Sequence, residues 1–204
     1  MKYEWRKGEK GLYGAKQKPE LVEVPSQQFI VIEGAGDPNA ADFSERVSAL
    51  YSLAYSIKML FKSMMKDEAE DKVTDFMVYP LEGIWEKAAG EGFDKSQLRY
   101  QLMIQQPNVI TQDMFATALE NVRKKKPNPL YDDIRLQSLP EERAIQFLHI
   151  GSYDSEPASF EKMDELAISL GLERCDQVHR EIYLSNKNRT PEEKLKTILR
   201  YSVR

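Results

Sequence analysis

The stretch "ERAIQFLHIGSYDSE" at 142–156 sets the reading of the fold. Its first part is a short run rich in aliphatic and aromatic residues, which predicts a strand. Gly151, Ser152 and Asp154 then supply turn chemistry. The period changes in "PASFEKMDELAISLG" (157–171). Phe160, Met163, Leu166, Ala167 and Leu170 recur at spacings of three and four, so this is a helix, with Gly171 as its C-cap. "QVHREIYLS" (177–185) returns to period two. "EKLKTILRYSV" (193–203) is a further strand, with a helical turn as the alternative for its start. The order is strand, helix, strand, strand.

The same order occurs upstream. "FIVIEGAG" (29–36) echoes "FLHIGSY" (147–153), and "GAGDPN" closes that strand. A helix over about 42–66 carries Phe43, Val47, Leu50, Ala54, Ile57, Phe61 and Met64 as a core stripe, with Tyr51 and Tyr55 on the stripe beside it. "DFMVYPLEGIWE" (75–86) is a strand interrupted by Pro80, and "DKSQLRYQLMIQQPN" (94–108) contains the next, joined to it by the turn "AAGEGFD". Thr111 caps a linking helix over about 111–126 that Pro127 stops. Residues 1–25 are polar and read as an arm lying on the domain. The expectation is one α+β domain over 1–204, with a tandem strand–helix–strand–strand repeat. Its halves span about 27–108 and 141–204. Helices cover one face of an antiparallel sheet, the other face is free, and a ligand groove runs along the junction.

Composition bounds the function. The chain has 204 residues, 41% hydrophobic and 30% charged, the balance of a soluble globular protein. A net charge of −4 lacks the basic footprint of a nucleic-acid binder. The single cysteine, Cys175, excludes a disulfide framework and fits a reducing compartment. The N-terminal stretch has no apolar signal core, and no apolar run approaches the ~20 residues that span a bilayer. The expected location is the cytoplasm, without a membrane partner.

Motifs for phosphate loops, nucleophile elbows and zinc helices are absent. The only histidines, His149 and His179, have no ligand neighbour at a metal-site spacing, so no metal or cofactor is expected. Alternation along 178–185 puts His179, Glu181 and Tyr183 on one side. Val178, Arg180, Ile182 and Leu184 fall on the other. Tyr79 and Trp85 share a face with Leu81 and Gly83, and Glu82 falls opposite as a solvated or turn-bracing acid. Phe147, His149 and Gly151 share a face that Tyr153 continues. Each aromatic is by itself ordinary core, His149 an ordinary hydrogen-bonded strand residue, and the lysines at 124–126 a solvated helix end. An acid among aromatics is different: it is costly unless it has a partner or a task. Glu181 with Tyr183, Tyr79 and Trp85 is therefore the strongest candidate. The helix over 42–66 is assumed to cover the face opposite Glu181.

Several long motifs carry a resemblance. "PLEGIW", "YQLMIQQPNVIT", "QFLHIGSYDSEPASFEKM" and "HREIYLSNKNRTPEEKLKTILR", with "FIVIEGAGDPN" and "PELVEVP", resemble the GyrI-like small-molecule-binding family over nearly the whole chain. The resemblance implies a fold similar to the ligand-binding half of multidrug-responsive transcription activators, built as a tandem repeat around a central groove. It also implies a pocket-floor glutamate at the position of Glu181, set among aromatics and pairing with flat cationic ligands. With no DNA-binding segment in front, a stand-alone domain is expected. "PLEGIW" and "HREIYLS" further resemble a branch that hydrolyses cyclopropanoid electrophiles. Arg180 departs from that pattern, which usually has His or a similar residue there, and alternation turns it away from the pocket. The implied roles follow. Glu181 holds or deprotonates a water, and Tyr183 or Tyr153 orients it or donates to the developing oxyanion. Tyr79, Trp85, His149, His179, Tyr55 and Met103 form the ligand wall. The partner is a small aromatic molecule. The alternative is a passive binder of organic cations, and the family name makes DNA gyrase a conceivable protein partner.

Overall fold

The computed structural model describes residues 1–68, 72–86 and 98–204. The expected turn at 88–94, and the first residues of the segment that follows it, lie outside the described residues. In chain order the elements are β1 (Lys2–Tyr3), α1 (Trp5–Gly8), α2 (Lys10–Tyr13), β2 (Glu20–Val24), β3 (Gln27–Ala35), α3 (Ala41–Met64), β4 (Asp75–Phe76) and β5 (Leu81–Glu86). They continue with β6 (Arg99–Gln106), α4 (Gln112–Lys125), β7 (Arg135–Leu139), β8 (Glu142–Ile150), α5 (Pro157–Ser169), β9 (Val178–Tyr183) and β10 (Lys196–Ser202). The expected α+β repeat is present as β3–α3–β5–β6 and β8–α5–β9–β10. Eight strands form one antiparallel sheet in the order β2-β8-β10-β9-β5-β6-β3-β7. The halves meet where β5 pairs β9, with Glu82 opposite Ile182 and Trp85 opposite His179.

Local signals explain the ends of the helices. Thr111 accepts from the Met114 amide at 3.2 Å, and Gly171 after α5 sits at φ +66, a left-handed conformation that suits glycine. Of the α3 stripe, Phe43, Leu50, Ala54, Ile57 and Phe61 are buried and Val47 is half-buried against them, while Met64 lies beyond the core and is exposed.

Register fixes the faces. Phe147, Leu199, Glu181, Gly83, Leu102 and Ile32 pair across the sheet in one row, so they share a face. Ile32 and Leu102 pack in the core that includes Leu50 and Leu53 of α3. Phe147 and Leu199 pack with Met163 and Ala167 of α5. Both helices therefore cover the face that carries Glu181, which corrects the assignment of α3 to the opposite face. Each helix covers the outer strands of its own half. The central strip of β5 and β9 is left between them as a cleft.

The other face is not free. Val24 and Gln27 are three residue steps apart and so at most about 11 Å apart. They end β2 and begin β3, which lie six strand spacings apart in the sheet, about 29 Å if it were flat. Leu139 and Glu142 impose the same condition on β7 and β8. The sheet must curl, and its second face turns inward. The arm helps to close it, for Trp5, Leu12, Tyr13 and Ala15 are buried. Glu82, read from sequence as solvated, is fully buried on this inner face. Arg180 meets it there, with Nε donating to Glu82 Oε2 at 2.5 Å and Nη2 donating to Gln27 Oε1 at 3.0 Å. Tyr13 Oη lies against Glu82 Oε1 at 3.1 Å and against Gln105 Oε1. No helix among the described residues is long and apolar enough to cross a membrane.

Candidate functional site

The cleft between the helices has a volume of about 550 Å³. Strand β9 supplies its floor, because alternation sends His179, Glu181 and Tyr183 outward together. Gly83 sits opposite Glu181 on β5. A Cβ there would lie 2.7 Å from Trp85 Nε1 and 3.1 Å from Tyr183 Oη. The glycine thus lets these two side chains meet, and Trp85 Nε1 donates to Tyr183 Oη at 2.8 Å. Phe43 and Tyr100 back the indole, with ring centroids 6.0 and 5.1 Å away.

The second wall comes from the foot of α5. A 3-10 turn over Tyr153–Ser155 precedes the helix, and Pro157 starts it. Side chains three apart eclipse in such a turn, which brings Tyr153 and Glu156 to the same side. The Tyr153 and Tyr183 rings meet edge-on at 6.2 Å, and Phe160 meets the His179 ring edge-on at 5.0 Å.

Glu181 is 8% exposed, and its Oε1 lies 3.0 Å from His179 Nε2. Its charge shapes the neighbouring groups. Burial, then Glu181, hold the Tyr183 hydroxyl well above its ordinary value. Burial, Glu181 and Glu156 push Tyr153 up to about 12. Burial, Glu181 and Asp154 push the Glu156 carboxyl up to about 9. Both tyrosines are therefore protonated at neutral pH and able to donate.

Trp85, His179, Glu181, Tyr183 and Tyr153 line this cleft together. The other expected wall residues are not among its lining. Tyr79 precedes β5, so strand alternation does not govern it. It stacks on Trp5 at 6.0 Å and donates to Glu9 Oε1 at 2.5 Å. His149 is covered by the start of α5, with Nδ1 2.8 Å from Ser159 Oγ and Nε2 2.9 Å from the Ser152 carbonyl. Met103 pairs with Glu82 across the strands, so it turns to the inner face, where it packs with Phe29 and Val31. Tyr55 is 55% exposed. Sequence reasoning missed Glu156 and Phe160 as cleft residues. The three-residue offset from Tyr153 was the available signal for Glu156, legible only with the turn known to be 3-10.

A cleft between paired half-domains, with aromatic walls and an acid at its base, defines a small-molecule-binding domain. This chain belongs to the GyrI-like small molecule binding domain family, which it matches over residues 17–203. A hydrolase encoded by lin2189 from Listeria innocua is similar at 33% identity, with 100% of each chain covered and a TM-score of 0.88. An uncharacterized conserved protein from Listeria innocua matches at 32% identity over 99% of this chain and 100% of its own, with a TM-score of 0.88. The EcmrR C-terminal domain shares the fold, with a TM-score of 0.52 at 12% identity over 92% of this chain and 97% of its own. No curated protein matches the chain.

Proposed function

We propose that the cleft binds flat aromatic small molecules and hydrolyses strained cyclopropanoid electrophiles, detoxifying DNA-alkylating natural products. The observation that carries this reading is the burial of Glu181 at the base of the cleft, between His179 and two protonated tyrosines. The aromatic walls stack the substrate. Glu181 holds a water and takes its proton as the oxygen attacks a ring carbon. The ring C–C bond breaks, and its electron pair moves through the conjugated system to an oxygen, which becomes protonated. Tyr183 accepts from Trp85 and its own hydrogen lies toward Glu181, beside the water that the carboxylate would hold; Tyr153 is the second hydroxyl, a donor to the water or to the developing oxyanion. General-base assistance of about a hundred- to ten-thousand-fold suffices for a substrate that is already strained. The likeness to a Listeria innocua hydrolase supports this reading.

A second reading, a non-catalytic binder of organic cations, is favoured by the charge of the cleft. Glu86, Asp154, Glu161, Asp164 and Glu181 line it against Arg174 and Lys187. Mass spectrometry after incubation with a cyclopropanoid separates the two. More than one equivalent of ring-opened, water-added product per chain is the expected result. Saturable binding without product would leave the binder.

A further inference from the structure

Glu156, His179 and Glu181 converge from two elements. Each offers one donor atom, and these atoms all lie within 4.8 Å of one another. His179 and Glu181 are two apart on β9 and so share a face. Glu156 enters from the foot of α5. Glu156 and Glu181 are 7% and 8% exposed. Two carboxylates whose donor atoms lie within 4.8 Å of each other repel, so the pair calls for a cation or a proton.

Among the described residues, no lysine or arginine forms an ion pair with either glutamate. The two cations that line the cleft pair with neither glutamate. Arg174 Nη2 donates to the Val178 carbonyl at 3.0 Å and the guanidinium lies 4.4 Å over the Tyr201 ring, its buried Nε having no hydrogen-bond partner. Lys187 donates to the Pro38 carbonyl at 3.3 Å. A separate observation is the buried Glu156 Oε1, which has no hydrogen-bond partner. Buried polar atoms left in that condition are uncommon and point to a missing partner.

We propose that Glu156, His179 and Glu181 form a binding site for a divalent transition-metal ion, open to the cleft. Metal–ligand bonds of about 2.1 Å place tetrahedral donors about 3.4 Å apart. The triad therefore needs to close by at most about 1.4 Å, within the reach of side-chain rotation. One imidazole with two carboxylates suits Zn²⁺ or Mn²⁺. Ca²⁺ takes six to eight oxygens and is disfavoured. Phe160 braces the His179 ring from the side. Three protein ligands leave a coordination position facing the cleft, where a water or a ligand atom can bind. Linear spacing hides this site, because Glu156 lies far upstream of the other two ligands. The donor set stands independently of any turnover.

Isothermal titration of metal-stripped protein with ZnCl₂ or MnCl₂ alone tests the proposal. One saturable site per chain is expected, weakened at least tenfold in Glu156→Gln and in His179→Gln. Thermal unfolding without metal checks that the variants fold. Absence of saturable binding up to about 1 mM metal would overturn the proposal and leave a proton as the carboxyls' companion. Equal affinity in Glu156→Gln would overturn it too, by putting the ion elsewhere. Should a variant misfold, the wild-type protein still decides. Its two histidines give separable NMR ring signals, and Zn²⁺ is expected to shift those of His179 and leave those of His149 in place. A titration that shifts neither refutes the site.

Discussion

Replacing Arg180 by methionine leaves the fully buried Glu82 carboxylate without its cation. Tyr13 remains as a partner, but its 3.1 Å contact is longer than the 2.5 Å bond from Arg180 Nε. Breaking one side of a buried pair costs about 3–5 kcal/mol. Arg200 faces Arg180 on β10 and is itself buried, so it offsets part of the loss. The expected cost is therefore near the low end, about 3 kcal/mol. In a chain of this size that lowers Tm by about 6–12 °C. Glu82→Leu is expected to cost a similar amount, because it strands Arg180 with only Gln27 and the Phe29 ring, 4.9 Å from its guanidinium. The double variant removes both charges, so its loss should fall well short of the sum of the two. Thermal unfolding of the four proteins at neutral pH completes the cycle. A Tm loss under about 2 °C for Arg180→Met, or strict additivity in the double variant, would refute the reasoning. The pair bears on function because it ties β5 to β9 directly beneath the cleft. Glu82 adjoins Gly83, and Arg180 lies between His179 and Glu181.

Two further outcomes follow from the packing and the charges. Gly83→Ala would drive a Cβ to 2.7 Å from Trp85 Nε1. It should cost about 1–3 kcal/mol in thermal unfolding and weaken binding of a planar aromatic probe, read by fluorescence titration. At Asp75, burial raises the carboxyl, but the bond from Lys58 at 2.9 Å and its charge outweigh that and leave the group below its ordinary value. The unfolded chain then binds the proton more tightly. The Asp75 contribution is thus present above its unfolded value and is lost as pH falls through the folded one. Lys58→Met should lower Tm at neutral pH and flatten its fall in acid, measured between about pH 2 and 6.

The repeat was legible because the hydrophobic period switches at each boundary. The break at Gly151 and the positive-φ Gly171 mark where α5 begins and ends, and alternation placed His179, Glu181 and Tyr183 together. It also separated Glu82 from Trp85 and turned Arg180 away from Glu181. What it could not supply was the meeting of Glu82 with Arg180. That contact needs the β5–β9 register, which depends on residues about a hundred positions apart. The same limit hid which face α3 covers. Tyr79 misled because it stands outside the strand whose parity it was given. His149 has the parity of the outer face, but its ring is claimed by Ser159 of α5. β7 carried too weak an alternation to be read as a strand, and the apolar anchors of the arm were masked by its lysines and glycines. Glu156 sits in a turn, where no sequence period applies.

The most direct test of the account is multiple-turnover hydrolysis of a cyclopropanoid by Glu181→Gln beside the wild-type protein, in a chelating buffer, with ligand binding measured in parallel. Retained binding with loss of the ring-opened product is the expected result. Hydrolysis at the wild-type rate would contradict the assignment of Glu181 as the base.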